Sequence, residues 1–289
     1  ARICGAFLAA YQLSGNKRYM QAIEATLEFM QKNLTSTDGT FYTSLASYHA
    51  ADPHESSPGS YYLWHKDELA NILPSKELEA FCTAFGIQSG GNIRFPGSLE
   101  QRSRKANIPY ASHPDARAPT PGSLLESAIR KVIGNHSRRS PPPLNDMVIT
   151  GWNGLMISAY AKAGAILGNP SYTSSARVAA EKVIEHLYNS TTNKLARGMV
   201  KKEIFGNGFC EDYIYLARGL LDLYRATADI RYFTLACKIH SYADMHFLDP
   251  HSGLYHLTPS SKISKSPFGL WVITDGDLPS PNGTAALNL

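Results

Sequence analysis

The stretch that decides the fold is LNDMVITGWNGLMISAYAKAGAIL, residues 144 to 167. From Gly151 onward nearly every position is apolar or small, which is typical of a helix that is buried on more than one side. Asp146, Trp152 and Asn153 stand at the entrance of this helix. A polar and aromatic cluster in that place indicates either a helix cap or one wall of a ligand cavity.

A pair of helices of this kind occurs three times in the chain. In each pair a short Gly, Asn or Asp turn is followed by a tyrosine (Tyr19, Tyr172 and Tyr232) and then by a second, amphipathic helix. Self-similarity of this type predicts αα-hairpins. The predicted first helices lie near 1–13, 151–167 and 209–227, and the predicted second helices near 17–33, 171–188 and 230–247. Buried first helices alternating with amphipathic second helices predict an all-α fold, an α/α toroid that is complete or partial.

The repeat spans the chain, which predicts one toroid domain over residues 1–289. Between the first two hairpins the pattern changes to a strand-like stretch at 60–64, short helices near 66–73 and 75–86, and a helix from about 122 to 133. A Pro-, Ser- and Arg-rich segment predicts a long irregular excursion at about 88–121.

Composition excludes several classes of protein. Hydrophobic residues make up 43% of the chain and charged residues 18%, as in ordinary globular proteins, and no run of about 18 apolar residues suggests a membrane span. The net charge of +4 is small and scattered, so we expect no nucleic-acid partner. The four cysteines lie far apart without a C-x-x-C pair, so we expect no metal and no cofactor. The cysteines are Cys4, Cys82, Cys210 and Cys237.

Three segments carry a resemblance to a known family. NDMVITGWNGLMISAYAKA, GFCEDYIYLARGLLDLYRAT and DGDLPSPNGTAALNL resemble signature segments of the spermatogenesis-associated thioredoxin-like proteins, and GTFYTS with GSYYLWHKDEL is similar to a fourth. That family joins a thioredoxin-like domain to a six-hairpin toroid similar to the N-acylglucosamine 2-epimerases. The resemblance therefore implies a six-hairpin, glycosidase-like toroid that acts on carbohydrate, and an intracellular location.

The chain also departs from the family pattern. The thioredoxin-like domain and the first toroid hairpins are absent, so we expect that a homo-oligomer or a further chain segment covers the exposed first helices. Ala46, Ser47 and Tyr48 replace the acidic run of the family, and Met147 stands where the family has a lysine. Because the chain begins on Ala1 inside a helical pattern, a leader or a whole domain could precede it.

The sequence leaves the cellular location of the protein open. Four glycosylation sequons would suit a secreted protein instead of an intracellular one. They begin at Asn33, Asn135, Asn189 and Asn282.

The candidate site follows from the toroid geometry, in which the first-helix N-termini converge on one mouth. We expect Asp212, Asp146 and His256 to be catalytic, because carboxylates at helix N-termini and a loop histidine suit proton transfer. Neighbouring helix positions point about 100° apart, so at most one of Glu211 and Asp212 faces the cavity, and the family motif shares Asp212. The predicted substrate-binding residues are Trp152, Asn153, Glu211, Tyr213, Asp275, Asn282 and Trp271. The alternative is that these residues only cap helices, at about 1 kcal/mol each.

Three functions remain open. The first is a sugar or polyol epimerase or isomerase that binds a small molecule in the central cavity. The second is a repurposed toroid that cyclises or isomerises a more apolar metabolite, which the replacements at Ala46, Tyr48 and Met147 favour. The third is a non-catalytic binding or scaffold domain.

Overall fold

The structure is a computed structural model that describes residues 1–46, 59–94, 105–116, 119–259 and 270–289. The described residues form two compact units, one of residues 1–44 and 145–289 and one of residues 45–144. The expectation of a single toroid domain over 1–289 stays a prediction.

Three αα-hairpins build the first unit, as the repeat predicts. Their first helices are apolar and their second helices follow after turns of two residues. The hairpins are α1 (Arg2–Ser14) with α2 (Lys17–Asn33), α6 (Thr150–Leu167) with α7 (Pro170–Leu187), and α8 (Cys210–Thr227) with α9 (Ile230–Phe247), and a shorter helix α10 (Pro281–Asn288) follows. The predicted hairpin helices are therefore confirmed to within one or two residues.

The three hairpin turns share one local design. The first helix ends on a residue in the left-handed conformation, and the next residue caps the second helix with its side chain. These pairs are Gly15 with Asn16, Gly168 with Asn169, and Ala228 with Asp229. In the third turn the left-handed position is held by Ala228, with φ 57°.

Helix α6 lies at the centre of the first unit and contacts α1, α7 and α8. Its interior positions from Met156 to Ala161 are all buried, which explains its apolar sequence. Helices α6 and α8 approach closely at Gly154 and Gly219. A Cβ atom on either glycine would collide with the backbone of the other helix, so neither position has room for a side chain.

The all-α prediction is confirmed only in part, because short strands accompany the helices. The main ones form the β-hairpin of β7 (Lys194–Val200) and β8 (Glu203–Asn207), and β7 also pairs with β5 (Val148–Ile149) and β6 (Tyr188–Asn189). This hairpin gives no turn signal in the sequence, because its turn residues, Lys201 and Lys202, have positive φ and are neither Gly nor Asn. The remaining strands are β1 (Ser44–Leu45), β2 (Trp64–His65), β3 (Ala106–Asn107) and β4 (Leu144–Asn145).

The second unit is a small helical cluster. It contains α3 (Lys66–Ile72), α4 (Ser75–Phe85) and α5 (Leu124–His136), with β2 antiparallel to β3, and 3-10 turns at Ser60–Tyr62 and Pro114–Ala116. Its core packs Trp64, Leu69, Phe81 and Val132 together. The guanidinium of Arg139 lies 3.9 Å from the centre of the Trp64 ring. The described parts of the predicted excursion at 88–121 hold β3 and the second 3-10 turn.

We predict that Ala228→Gly stabilises the protein by about 0.5–1 kcal/mol, because alanine is strained in the left-handed conformation and glycine is not. The matched control is Ala226→Gly, two residues earlier in the last turn of α8, which should destabilise by about the same amount. Urea unfolding of both variants measures the difference. Equal destabilisation by the two substitutions would show that the turn is not strained.

Candidate functional site

The entrance of α6 is held to the first hairpin by a side-chain clamp on the backbone. The Asn153 side chain is fully buried, its Oδ1 accepts from the Phe41 N–H at 2.8 Å, and its Nδ2 donates to the Phe41 carbonyl at 3.0 Å. The same Nδ2 donates to the Ile149 carbonyl at 3.0 Å. Asn153 therefore satisfies both backbone groups of Phe41, across 112 residues of chain.

Helix α10 carries an equivalent clamp. The Asn282 Oδ1 accepts from the Tyr255 N–H at 2.7 Å, and Nδ2 donates to the Tyr255 carbonyl at 3.1 Å. Helix α8 uses a tyrosine in this role, since the Tyr213 hydroxyl accepts from the Leu195 N–H at 2.9 Å. Phe41, Leu195 and Tyr255 occupy corresponding places, because each pairs back with a residue just after its second helix.

The repeated clamp explains why polar and aromatic residues cluster at the helix entrances. Each one ties the turn that follows one hairpin to the first helix of the next. Three of the predicted substrate-binding residues, Asn153, Tyr213 and Asn282, make these structural bonds. Their proposed binding role stays a prediction.

Asp212 connects three segments at the entrance of α8. Its Oδ1 accepts from the Gly151 N–H at 2.9 Å, its Oδ2 accepts from the Phe209 N–H at 2.9 Å, and both oxygens lie within 3.0 Å of Arg197 Nη1. The side chain is 0% exposed. Burial raises the pKa of the Asp212 carboxyl to about 6, against the opposing effects of Arg197 and of the Phe209 and Gly151 N–H groups. Such a pKa suits a general acid or base, but both oxygens already have partners.

Glu211 is the more accessible of the two carboxylates. Its side chain is 15% exposed, and its Oε1 lies 2.6 Å from Arg197 Nη1. The expectation that Asp212 rather than Glu211 faces a cavity stays a prediction. Arg197 was not among the predicted site residues, because it lies on β7 and no fixed sequence spacing joins that strand to α8.

His256 and Trp152 carry buried polar atoms without partners. Among the described residues, nothing hydrogen-bonds to His256 Nδ1 or to the Trp152 indole N–H. The His256 ring stacks on Trp271, with the ring centres 4.9 Å apart. The next residue, Leu257, accepts from the Cys210 N–H at 3.0 Å, so His256 and Glu211 lie on adjoining segments.

Asp146 and Asp275 make contacts of their own. Asp146 is partly exposed, and its charge acts electrostatically on the Tyr42 hydroxyl. Burial, and then the charges of Asp146 and Asp38, raise the pKa of Tyr42. Asp275 accepts from the Ser280 N–H at 2.8 Å and pairs with Arg2, and its side chain is 60% exposed. The entrances of α6 and α8 are joined by the hydrogen bond from the Gly151 N–H to Asp212 Oδ1.

Two further groups of predictions concern the replaced acidic run and the expected absence of a membrane span and of a metal site. Ser47 and Tyr48, which replace the acidic run, lie outside the described residues. Within the described ranges, no helix is both long enough and apolar enough to cross a bilayer, and no cluster of three metal-ligating side chains occurs.

The comparisons with known proteins agree with the sequence resemblance. The chain is 28% identical over 321 aligned residues to spermatogenesis-associated protein 20 of Homo sapiens. The chain is a homologue of spermatogenesis-associated protein 20. The alignment covers 100% of the chain and 40% of the human protein, so the chain spans less than half of this relative. No protein-family model matches the chain.

Solved structures give weaker likenesses. A family 105 glycoside hydrolase of C. acetobutylicum ATCC 824 has a TM-score of 0.42 at 11% identity, over 99% of this chain and 68% of that one. A D-mannose isomerase has a TM-score of 0.40 at 13% identity, over 99% of this chain and 84% of that one. These scores are too low to bear on the fold or on the activity.

We predict that Asn153→Ala destabilises the protein by about 3 kcal/mol, because it leaves the buried Phe41 N–H and carbonyl without their side-chain partner. The control is Asn207→Ala on the exposed strand β8, which should change stability by less than about 0.5 kcal/mol. Urea unfolding of both variants measures the effect. A loss of less than about 1 kcal/mol for Asn153→Ala would contradict the clamp.

We also predict that Asp212→Asn destabilises the protein by about 2–4 kcal/mol. The new NH2 group replaces one carboxylate oxygen and cannot accept from the N–H donor or from Arg197 that this oxygen bound. Glu211→Gln, which removes the neighbouring charge at a more exposed position, is the control and should cost less. Thermal unfolding of the two variants compares them. If Asp212→Asn is the milder of the two, Asp212 does not hold the entrance together.

Proposed function

We propose that the three hairpins belong to an α/α toroid whose mouth binds a sugar or polyol and transfers a proton at a carbon of that ligand. The observation that carries the proposal is that, within the described part of the chain, His256 Nδ1 and Trp152 Nε1 are buried without a hydrogen-bond partner. A buried polar group without a partner costs about 1–3 kcal/mol, so a ligand group that bonds to either atom recovers that free energy.

The residues near these two atoms suit a polyol. Trp271 is partly exposed and already stacks on His256, and aromatic faces beside a few fixed polar groups are typical of small-ligand sites. Trp152 offers an indole N–H that donates to a hydroxyl oxygen. In this proposal the two tryptophans position the ligand.

In this proposal His256 and Glu211 transfer the proton. An imidazole nitrogen can accept or donate a proton in general acid–base catalysis. Glu211, whose Oε1 lies 2.6 Å from Arg197 Nη1, is the base of the pair in this proposal. One group removes the proton beside a carbonyl carbon of the open-chain sugar, and the other returns a proton to the same carbon. Asp212, which we first expected to be catalytic, positions Arg197 and the α6 entrance instead.

A second candidate function is a non-catalytic binding or scaffold domain. A specific observation favours it, since Asn153, Tyr213, Asn282 and Asp212 all bond to their own chain. A homo-oligomer or covering segment on the first helices stays a prediction under either function.

We predict that the chain catalyses deuterium incorporation from D2O at C2 of an aldose, because proton removal and return exchange that hydrogen with solvent. His256→Gln and Glu211→Gln should each slow the exchange by at least about 100-fold. Proton NMR across a panel of monosaccharides measures the rate.

The matched control is His251→Gln, an exposed histidine five residues earlier in the same turn, which should exchange deuterium at the wild-type rate. Thermal melting of every variant separates lost chemistry from lost folding. No exchange by the wild-type chain, together with no quenching of tryptophan fluorescence by any sugar, would favour the scaffold function.

A further inference from the structure

A cavity of about 170 Å³ lies among four helices of the first unit, α1, α6, α8 and α10. Its polar lining consists of Arg2, Ser158, Lys162, Arg218 and Thr284. On α6, Lys162 comes ten residues after Trp152, which is about 15 Å along a helix. Trp152, Asp212 and His256 do not line the cavity.

One buried carboxylate beside this cavity receives three cations. Asp222 is 1% exposed and accepts from Ser158 Oγ at 2.6 Å, Arg218 Nε at 3.0 Å and Arg225 Nη1 at 3.0 Å. Lys162 Nζ lies 3.0 Å from the same carboxylate. Three positive charges meet one negative charge, so the cluster carries two positive charges in excess.

Donor groups of this cluster are left over on the cavity wall. An ammonium group has three N–H donors, and Lys162 uses one of them on Asp222. Arg218 uses Nε on Asp222 and Nη1 on the Leu287 carbonyl at 2.9 Å, and within the described residues its Nη2 has no acceptor. Arg2 adds no uncompensated charge, because it pairs with Asp275 at 3.2 Å.

Charge that is partly removed from water costs free energy unless an opposite charge accompanies it. Lys162 is 36% exposed and Arg218 is 16% exposed at the side chain, so solvent compensates them only in part. We propose that this cavity binds the anionic group of a small metabolite, a phosphate or a carboxylate, between Lys162 and Arg218. The proposal does not depend on the proton-transfer chemistry at the entrances.

The size of the cavity fits such a group. One water occupies about 30 Å³ in the liquid, and pockets for drug-sized ligands measure about 300–1,000 Å³. A volume of about 170 Å³ therefore admits an anion of a few heavy atoms and excludes an oligosaccharide. The apolar wall, which includes Leu155 and Ala159, suits the short carbon skeleton of the same molecule.

The test is isothermal titration of the full 289-residue chain with inorganic phosphate and, separately, with lactate, at one ionic strength held by sodium chloride. We expect saturable binding of at least one of the two at millimolar concentrations. Binding of phosphate alone assigns a phosphate site, and binding of lactate alone assigns a carboxylate site. Absence of binding by both anions overturns the proposal.

Two substitutions locate the binding. Lys162→Met should weaken the Kd by about tenfold or more, whereas Lys162→Arg, which keeps the charge, should keep most of the affinity. The matched control is Arg225→Met, because Arg225 pairs with the same Asp222 but is 59% exposed and does not line the cavity. Equal weakening by Lys162→Met and Arg225→Met would overturn the cavity as the site.

A third variant keeps the test decisive if Lys162→Met fails to fold. Gly5 lines the cavity, and a Cβ atom added there meets no other atom within 4 Å. Gly5→Leu should therefore fold and fill the cavity without changing any charge, and we expect it to abolish anion binding. Unchanged binding by a folded Gly5→Leu would contradict the proposal.

Discussion

The hydrogen bonds between Asn153 and the backbone of Phe41 are the constraint on which the first unit depends. Phe41 lies in a turn outside any helix, where a buried N–H and carbonyl would otherwise lack partners. By binding both groups, Asn153 fixes the first hairpin against α6, and the Phe41 ring then stacks on Tyr160 with the ring centres 5.2 Å apart. Asn282 binds the Tyr255 N–H and carbonyl in the same way, and the Tyr213 hydroxyl binds the Leu195 N–H, so a clamp recurs along the repeat.

The clamps also determine which residues at the helix entrances remain available for a ligand. Polar residues at a helix entrance look alike in sequence whether they bind a ligand or the protein's own backbone. Here Asn153, Asn282 and Asp212 bind their own chain, while Glu211, His256 and Trp152 retain exposure or unpartnered atoms. For this reason the proposed proton transfer is assigned to Glu211 and not to Asp212.

Much of the fold could be predicted from local sequence, and the site could not. Hairpin boundaries follow from helical periodicity and from caps such as Gly168 and Asn169, which act within a few residues. The partner of Asn153 lies 112 residues away, beyond an intervening unit, and no local pattern shows it. Lys162 and Asp222 stand out as charges within apolar helices, but only the packing of α6 on α8 reveals that they meet.

Native-state hydrogen exchange of the Phe41, Leu195 and Tyr255 amides tests the clamps most directly. These N–H groups lie outside the helices, yet the account predicts that they exchange as slowly as buried α6 amides such as Ile157, because breaking a clamp requires the hairpins to separate. Exchange as fast as that of the exposed turn amide of Thr191 would contradict the account.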